Sequence, residues 1–237
     1  DAAAAWTRAA HVAPAWAALA AETRAEILER TADGLEADAP AFLSLLIQEA
    51  GKTLPDAVAD LREAVDFCRY YAAAARTLPD GCRPRGVVLA ISPWNFPLAI
   101  FIGQVAAALG AGNAVVAKPA EQTPRIADRA VRLMHDAGVP EGALQLLNGP
   151  GETLGACLTS AGRADMVVFT GSTVTARAIH RAIASSARPG APLLAETGGL
   201  NTMVVDSTAL LERAADDIVA SAFRSAGQRC SSLRMLY

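Results

Sequence analysis

Along the first 78 positions apolar residues recur every three or four residues, whereas from position 86 onward they gather into short unbroken runs. The first pattern predicts amphipathic helices over 14–38, 41–49 and 56–78, interrupted where Pro40, Gly51 and Pro55 break helical geometry. A loop, Pro79-Asp80-Gly81-Cys82-Arg83-Pro84, follows. Beyond it, β-branched-rich runs predict strands at 86–91, 113–117, 143–147, 165–169 and 191–195, with helical periodicity at 98–109, 124–137, 151–160 and 173–186 between them. Apolar strands separated by single helices imply an α/β fold with a parallel sheet covered on both faces. Ligands of such sheets sit beyond the strands' carboxyl ends, where Asn95, Lys118, residues 170–172 and Glu196 all fall. After Glu196 a second unit begins, with a strand at 201–205, a helix at 208–225, a loop carrying Cys230 and a strand from Leu233. Its apolar positions Val204, Val205, Ile218, Val219 and Phe223 form a face that one helix and one or two strands cannot cover.

Composition narrows the class. A hydrophobic fraction of 52% with a net charge of −3 describes a globular chain with no basic patch for nucleic acid. No apolar run reaches the roughly 18 residues of a membrane span, and the start is too short and interrupted for a signal peptide, so the expected location is the cytoplasm. Cys68, Cys82, Cys157 and Cys230 show no paired spacing and His11, His135 and His180 are scattered, which indicates neither a disulfide frame nor a metal site. Of 21 basic residues only Lys52 and Lys118 are lysine. Where arginine is the default cation, a lysine marks a need for a compact ammonium with several donors, and Lys118 at a strand end is singled out on that ground. Lys52, after Gly51, reads as a solvated loop cation.

Three local features carry chemistry. Cys230 stands in Ser225-Ala226-Gly227-Gln228-Arg229-Cys230-Ser231, and Glu196 precedes Thr197-Gly198-Gly199. Together they are the equipment for covalent chemistry on a carbonyl, although a lone Cys also serves as an apolar filler and a Glu before Gly-Gly as a turn residue. In Ile91-Ser92-Pro93-Trp94-Asn95-Phe96-Pro97 two prolines fix the backbone around Asn95, which suits an amide that must be aimed. A rigid turn with Trp94 packed on the core is the alternative. Gly149-Pro150-Gly151-Glu152-Thr153-Leu154-Gly155 misses the usual dinucleotide fingerprint by one residue, while Gly171-Ser172-Thr173 opens a helix after a strand. That helix start serves either as a pyrophosphate site or as an ordinary N-cap.

The segments Ser92-Pro93-Trp94-Asn95-Phe96-Pro97, Ala117-Lys118-Pro119-Ala120-Glu121, Phe169-Thr170-Gly171-Ser172-Thr173, Glu196-Thr197-Gly198-Gly199 and Gly227-Gln228-Arg229-Cys230 resemble the aldehyde dehydrogenase superfamily in order and spacing. More narrowly, 97–101, 118–124 and 225–231 look like the glutamate-semialdehyde (delta-1-pyrroline-5-carboxylate) dehydrogenase domain of bifunctional proline utilization A proteins. The resemblance implies N-terminal helices plus a Rossmann-like parallel sheet domain over 1–198, then the start of a catalytic α/β domain over 199–237. It implies NAD as cofactor, contacted by Ile91, Ser92, Trp94, Lys118, Ala120, Glu121, Gly151, Gly155, Phe169, Thr170, Gly171, Ser172 and Gly198.

For the reaction the resemblance implies oxidation of L-glutamate γ-semialdehyde to glutamate, with Cys230 as nucleophile, Asn95 as oxyanion donor and Glu196 as a partly desolvated base. Ser231 is then a donor to the substrate's carboxylate. Glu63 is a partner for its ammonium, against the plainer reading of a solvated helix face. Another semialdehyde or general aldehyde dehydrogenase, or a non-catalytic dinucleotide-binding remnant, are the rival readings. Family members continue for roughly two hundred residues past this point, so the chain is expected to be a fragment that folds its sheet domain and is inactive alone. Its parent is expected to be a homo-oligomer, with a proline dehydrogenase domain possible in the same chain.

Overall fold

The computed structural model describes residues 1–79 and 81–237; Asp80, in the loop expected at 79–84, lies outside the described residues. Four helices lead: α1 (Ala2–Ala17), α2 (Ala21–Ala37), α3 (Ala39–Ala50) and α4 (Leu54–Arg76). The single helix expected over 14–38 is therefore two, and Pro14 lies inside α1 rather than at a start. Asp1 begins α1 by accepting the Ala3 N–H (2.9 Å), and Trp6, Ala9, Ala13 and Trp16 form its buried stripe. The alanines between those positions obscure that stripe in the sequence. A break at 18–20 sends α1 and α2 to different neighbours: α1 packs on the strands, α2 on α4.

Five parallel strands follow, β1 (Val87–Ile91), β2 (Ala114–Lys118), β3 (Leu144–Leu146), β4 (Met166–Thr170) and β5 (Leu193–Glu196), in the order β3-β2-β1-β4-β5. Between them run α5 (Ala99–Gly110), α6 (Pro124–Asp136), α7 (Ala156–Ser160) and α8 (Thr173–Ala184). Successive strand residues face opposite ways, so two cores form. Val88, Ala90, Val115 and Ala117 join α2 to α6 in one; Val87, Leu89, Val116, Val167 and Phe169 join α1, α7 and α8 in the other. The N-terminal helices thus share cores with the sheet. The chain winds outward from β1 in one direction and from β4 in the other, which leaves a crevice between their carboxyl ends.

Several boundaries differ from expectation. Lys118, Thr170 and Glu196 are the last residues of their strands rather than the first beyond them, because Ile91 pairs with Lys118 and Thr170 with Glu196. The expected helix at 151–160 is a wide π-type turn (Gly151–Gly155) leading into α7, with the Gly155 N–H reaching Pro150 O at 3.4 Å. The small unit holds β6 (Asn201–Met203), α9 (Leu211–Phe223), a 3₁₀ turn (Arg224–Gly227) and β7 (Leu233–Leu236). Its helix starts three residues later than expected, since Asp206 Oδ1 accepts the Ser207 hydroxyl (3.0 Å) and the Thr208 N–H (3.3 Å) and holds a turn there. As the apolar pattern predicts, α9 buries no residue, and Val204, Val219 and Phe223 are exposed.

Leu89, in the middle of the central strand, is completely buried. We expect Leu89→Ala to cost about 2–5 kcal/mol in urea unfolding, while Val174→Ala at an exposed position changes stability by less than about 0.5 kcal/mol. Equal effects would show that the sheet core does not carry the fold.

Candidate active site

The crevice between β1 and β4 opens into a cleft of about 840 Å³. Ile91 ends β1 and Ser92 follows it; the Ser92 N–H donates to Lys118 O (3.1 Å), which ties the Pro93–Pro97 loop to the neighbouring strand. Trp94 is 41% exposed and lines the cleft, so the reading that packs it on the core does not hold. Lys118 is buried at the end of β2, with Nζ donating to Pro119 O (3.0 Å) and lying 3.4 Å from Glu121 Oε2. The Glu121 N–H first, and against burial also the Lys118 charge and the Gly151 N–H, hold the Glu121 carboxyl below the usual carboxylate range. Ala120 completes that loop, and Gly151 and Gly155 face it from the π turn, with Lys118 carbons 3.7 Å from where a Cβ of Gly155 would stand.

On the other side of the crevice stand Phe169 and Thr170, at the end of β4, and Gly171 and Ser172 after them. Ser172 caps α8 by accepting the Thr175 N–H at 3.0 Å, so the N-cap reading is correct as far as the hydroxyl goes. Gly171, Ser172, Val174 and Thr175 of that helix start line the cleft, and the helix dipole favours an anion there. A Cβ on Gly171 would stand 2.5 Å from the tip of the Phe169 ring, which is why this position takes glycine. Its N–H donates to Glu196 O (3.0 Å), fixing the backbone of β5's last residue.

The small unit brings Cys230 to the groups carried by the sheet. Cys230, Glu196, Gly198 and Asn95 line the same cleft as the residues above. Asn95 Nδ2 donates to Gln228 O (2.9 Å), so the two loops that carry Asn95 and Cys230 are in direct contact. Asn201 Nδ2 donates to Cys230 O (2.6 Å) and Ser232 O (2.9 Å). The Glu196 side chain is exposed, contrary to the expected partial desolvation, because β5 is the sheet's edge strand and α9 does not cover it. Ser231 and Glu63 are exposed and stand outside the residues that line this cleft. The four cysteines separate clearly: burial pushes the Cys68 thiol up to about 12, whereas Cys230 is exposed in the cleft.

Sequence reasoning missed several partners. Gln104, buried in the otherwise apolar α5, donates to Thr170 Oγ1 (3.0 Å) and Ile91 O (3.3 Å) and so stitches the two strand ends together. A lone amide in an apolar helix was its only signal. Lys52, read as a solvated loop cation, is instead nearly buried and lies 3.2 Å from the fully buried Asp60. Among the described residues no cluster of His, Cys, Asp and Glu has metal-binding form, and no helix is long and apolar enough to cross a membrane.

Residues 1–237 match the aldehyde dehydrogenase family over their whole length. The chain belongs to the aldehyde dehydrogenase family. Among relatives of this aldehyde dehydrogenase chain, the bifunctional protein PutA of Klebsiella aerogenes is 55% identical over 97% of the chain, which spans 18% of that protein. The 1-pyrroline-5-carboxylate dehydrogenase of Anoxybacillus flavithermus is 40% identical over 92% of the chain, which covers 45% of it. A solved structure of proline utilization A with proline bound in remote sites superposes with a TM-score of 0.95 at 55% identity, covering 99% of this chain and 26% of that one. The 1-pyrroline-5-carboxylate dehydrogenase from Thermus with bound NAD superposes with a TM-score of 0.92 at 34% identity, covering 99% and 49%. The chain therefore spans less than half the length of each of these relatives.

Because the Gly171 position has no room for a methyl group, Gly171→Ala must displace the Phe169 ring. We expect a loss of about 1–3 kcal/mol in thermal or urea unfolding and a changed cleft wall. Unaltered stability would show that the Gly171–Phe169 approach is not a constraint.

Proposed function

We propose that the full-length protein carrying this chain oxidises an aldehyde with NAD, and that L-glutamate γ-semialdehyde is the aldehyde. The observation that carries the reading is the meeting of Cys230, Asn95 and Glu196 in one cleft with Lys118, Glu121 and the start of α8. The names of the relatives support the substrate, and the NAD-bound Thermus structure supports the cofactor.

The cleft fits a dinucleotide in size and in chemistry. Its volume is about 840 Å³, and it offers helix N–H groups at Ser172 and the π turn for a pyrophosphate. Lys118 and Glu121 would take the adenosine ribose hydroxyls, and the Glu121 carboxylate would repel a 2′-phosphate, favouring NAD over NADP. Ile91, Ser92, Trp94, Ala120, Phe169, Thr170 and Gly198 would form the walls. When bound, NAD supplies the hydride acceptor.

The chain's own residues do the rest. Cys230 Sγ, as thiolate, attacks the aldehyde carbon and forms a thiohemiacetal. The Asn95 amide and the Cys230 N–H donate to the developing oxyanion, which requires Asn95 to exchange or share its present bond to Gln228 O. Loss of hydride from that carbon leaves a thioester on Cys230. Glu196 then takes a proton from water, which attacks the thioester carbon, releases the acid and returns the thiolate. For the substrate's ends, Ser231 would donate to the carboxylate and Glu63 would meet the ammonium, both by resemblance. The bifunctional relative, of which this chain spans 18%, supports a second activity elsewhere in the parent chain, and by resemblance that is a proline dehydrogenase domain.

In the full-length protein, Cys230→Ala should lower NADH formation from glutamate semialdehyde at least about a thousandfold, since hydride loss needs the tetrahedral adduct. Retention of most of the turnover would remove the nucleophile assignment. Glu196→Gln should give a burst of about one NADH per site and slow turnover after it, because only hydrolysis is impaired. A uniformly slow reaction would place Glu196 before hydride loss.

A further inference from the structure

Two acidic side chains one helical turn apart on α4 reach two different loops of the cleft. Asp56 is 7% exposed; its Oδ1 accepts from Arg224 Nε at 2.8 Å and its Oδ2 from the Thr53 hydroxyl at 2.9 Å. Asp60, four residues on, is completely buried; its Oδ1 accepts the Ala99 N–H at 2.7 Å, at the start of α5. Its Oδ2 lies 3.2 Å from Lys52 Nζ, and that ammonium stands 4.6 Å over the ring of Phe96, the residue after Asn95. The turn between α3 and α4, with the first turns of α4, therefore holds the Asn95 loop from behind through Lys52 and Asp60. Through Asp56 it holds Arg224.

Arg224 opens the turn that leads to Cys230. Ser225 and Ala226 both have φ of 54° and Gly227 has 67°, a run of left-handed residues of which only the last is glycine. Side chains with a Cβ resist that conformation, so the turn persists only where outside contacts fix it. Those contacts are Asp56 on Arg224, Asn95 on Gln228 O and Arg234 on Gly227 O (2.8 Å). Burial alone would push the Asp56 carboxyl up, but hydrogen bonds from Arg224, Thr53 and Ser225 together hold it below the ordinary Asp value. A cavity of about 450 Å³ at this corner is bounded by Lys52, Asp56 and Arg224 on one side and by Asn95 and Gln228 on the other.

We propose that Asp56 and Arg224 form a positioning pair by which the α3–α4 corner sets the Cys230 loop in register with the Asn95 loop, which the same corner fixes through Lys52 and Asp60. Its effect on catalysis rests on the dehydrogenase reading above. Neither residue touches a reacting atom; the pair determines where the nucleophile and the oxyanion donor stand relative to each other.

The test combines hydrogen–deuterium exchange on residues 1–237 with kinetics of the full-length protein, for Asp56→Asn, Arg224→Gln and the double variant. Loss of one charged hydrogen bond should speed exchange in 224–232 about tenfold, leave 87–91 within about twofold, and make the double variant no faster than the faster single. Arg224 is half exposed, so Arg224→Gln reads the contact even where Asp56→Asn impairs folding. In turnover the same variants should lower kcat about tenfold with KM for NAD unchanged, because the cofactor side of the cleft lies elsewhere. Unchanged exchange at 224–232 in Arg224→Gln, or additive effects in the double variant, would overturn the pair. Absence of turnover in the unmodified full-length protein would remove the dehydrogenase reading and leave the exchange result to decide the pair by itself.

Discussion

The parallel register of β1, β2 and β4 determines where the polar groups of the cleft can stand. Parallel strands present all their carboxyl ends at one edge, and the reversal of winding between β1 and β4 keeps the space above that edge free of a crossover helix. Ile91 beside Lys118 and Phe169 beside Ala195 are consequences of that register, with β1 and β2 buried on both faces and β5 at the exposed edge. Gln104 then reinforces the one gap that the register leaves, by bonding to both Ile91 O and Thr170.

Cys230 does not hang from that sheet. Cys230 belongs to a two-stranded unit whose helix buries nothing, so its place depends on polar contacts reaching across from the larger body. Asn95 on Gln228 O and Asp56 on Arg224 supply them, while Asn201 on Cys230 O and Arg234 on Gly227 O brace the loop from within the small unit. Such contacts are individually modest, and their geometry rather than their sum is what brings a thiol and an amide to one place.

Much of this was legible in the chain. The five strands, most of the helices between them and the edge of the sheet that carries the cleft follow from apolar runs and their spacing, and the cleft gathers the expected groups at Asn95, Lys118, Gly171, Glu196 and Cys230. The departures have physical causes. The alanine-rich start hides the stripe of Trp6, Ala9, Ala13 and Trp16, so the sequence pattern misses α1 up to Pro14 and joins its last turn to α2. The scarcity of lysine singled out Lys118, which is buried, but a loop position after Gly51 made Lys52 look solvated although its side chain is nearly buried against Asp60. Nothing in the sequence sets Asp56 and Asp60 apart from other helix carboxylates, because their partners at Arg224 and Ala99 are distant in sequence and only packing brings them together.

Calorimetric titration of NAD into residues 1–237, with Lys118→Met and Glu63→Gln beside the unmodified chain, tests most directly whether the sheet's carboxyl edge is the cofactor site. The account predicts one saturable site per chain, weakened at least about tenfold by Lys118→Met, which removes the charged donor at the end of β2, and unchanged by Glu63→Gln outside the cleft. Binding that survives Lys118→Met at full strength, or that responds to Glu63→Gln instead, would contradict it.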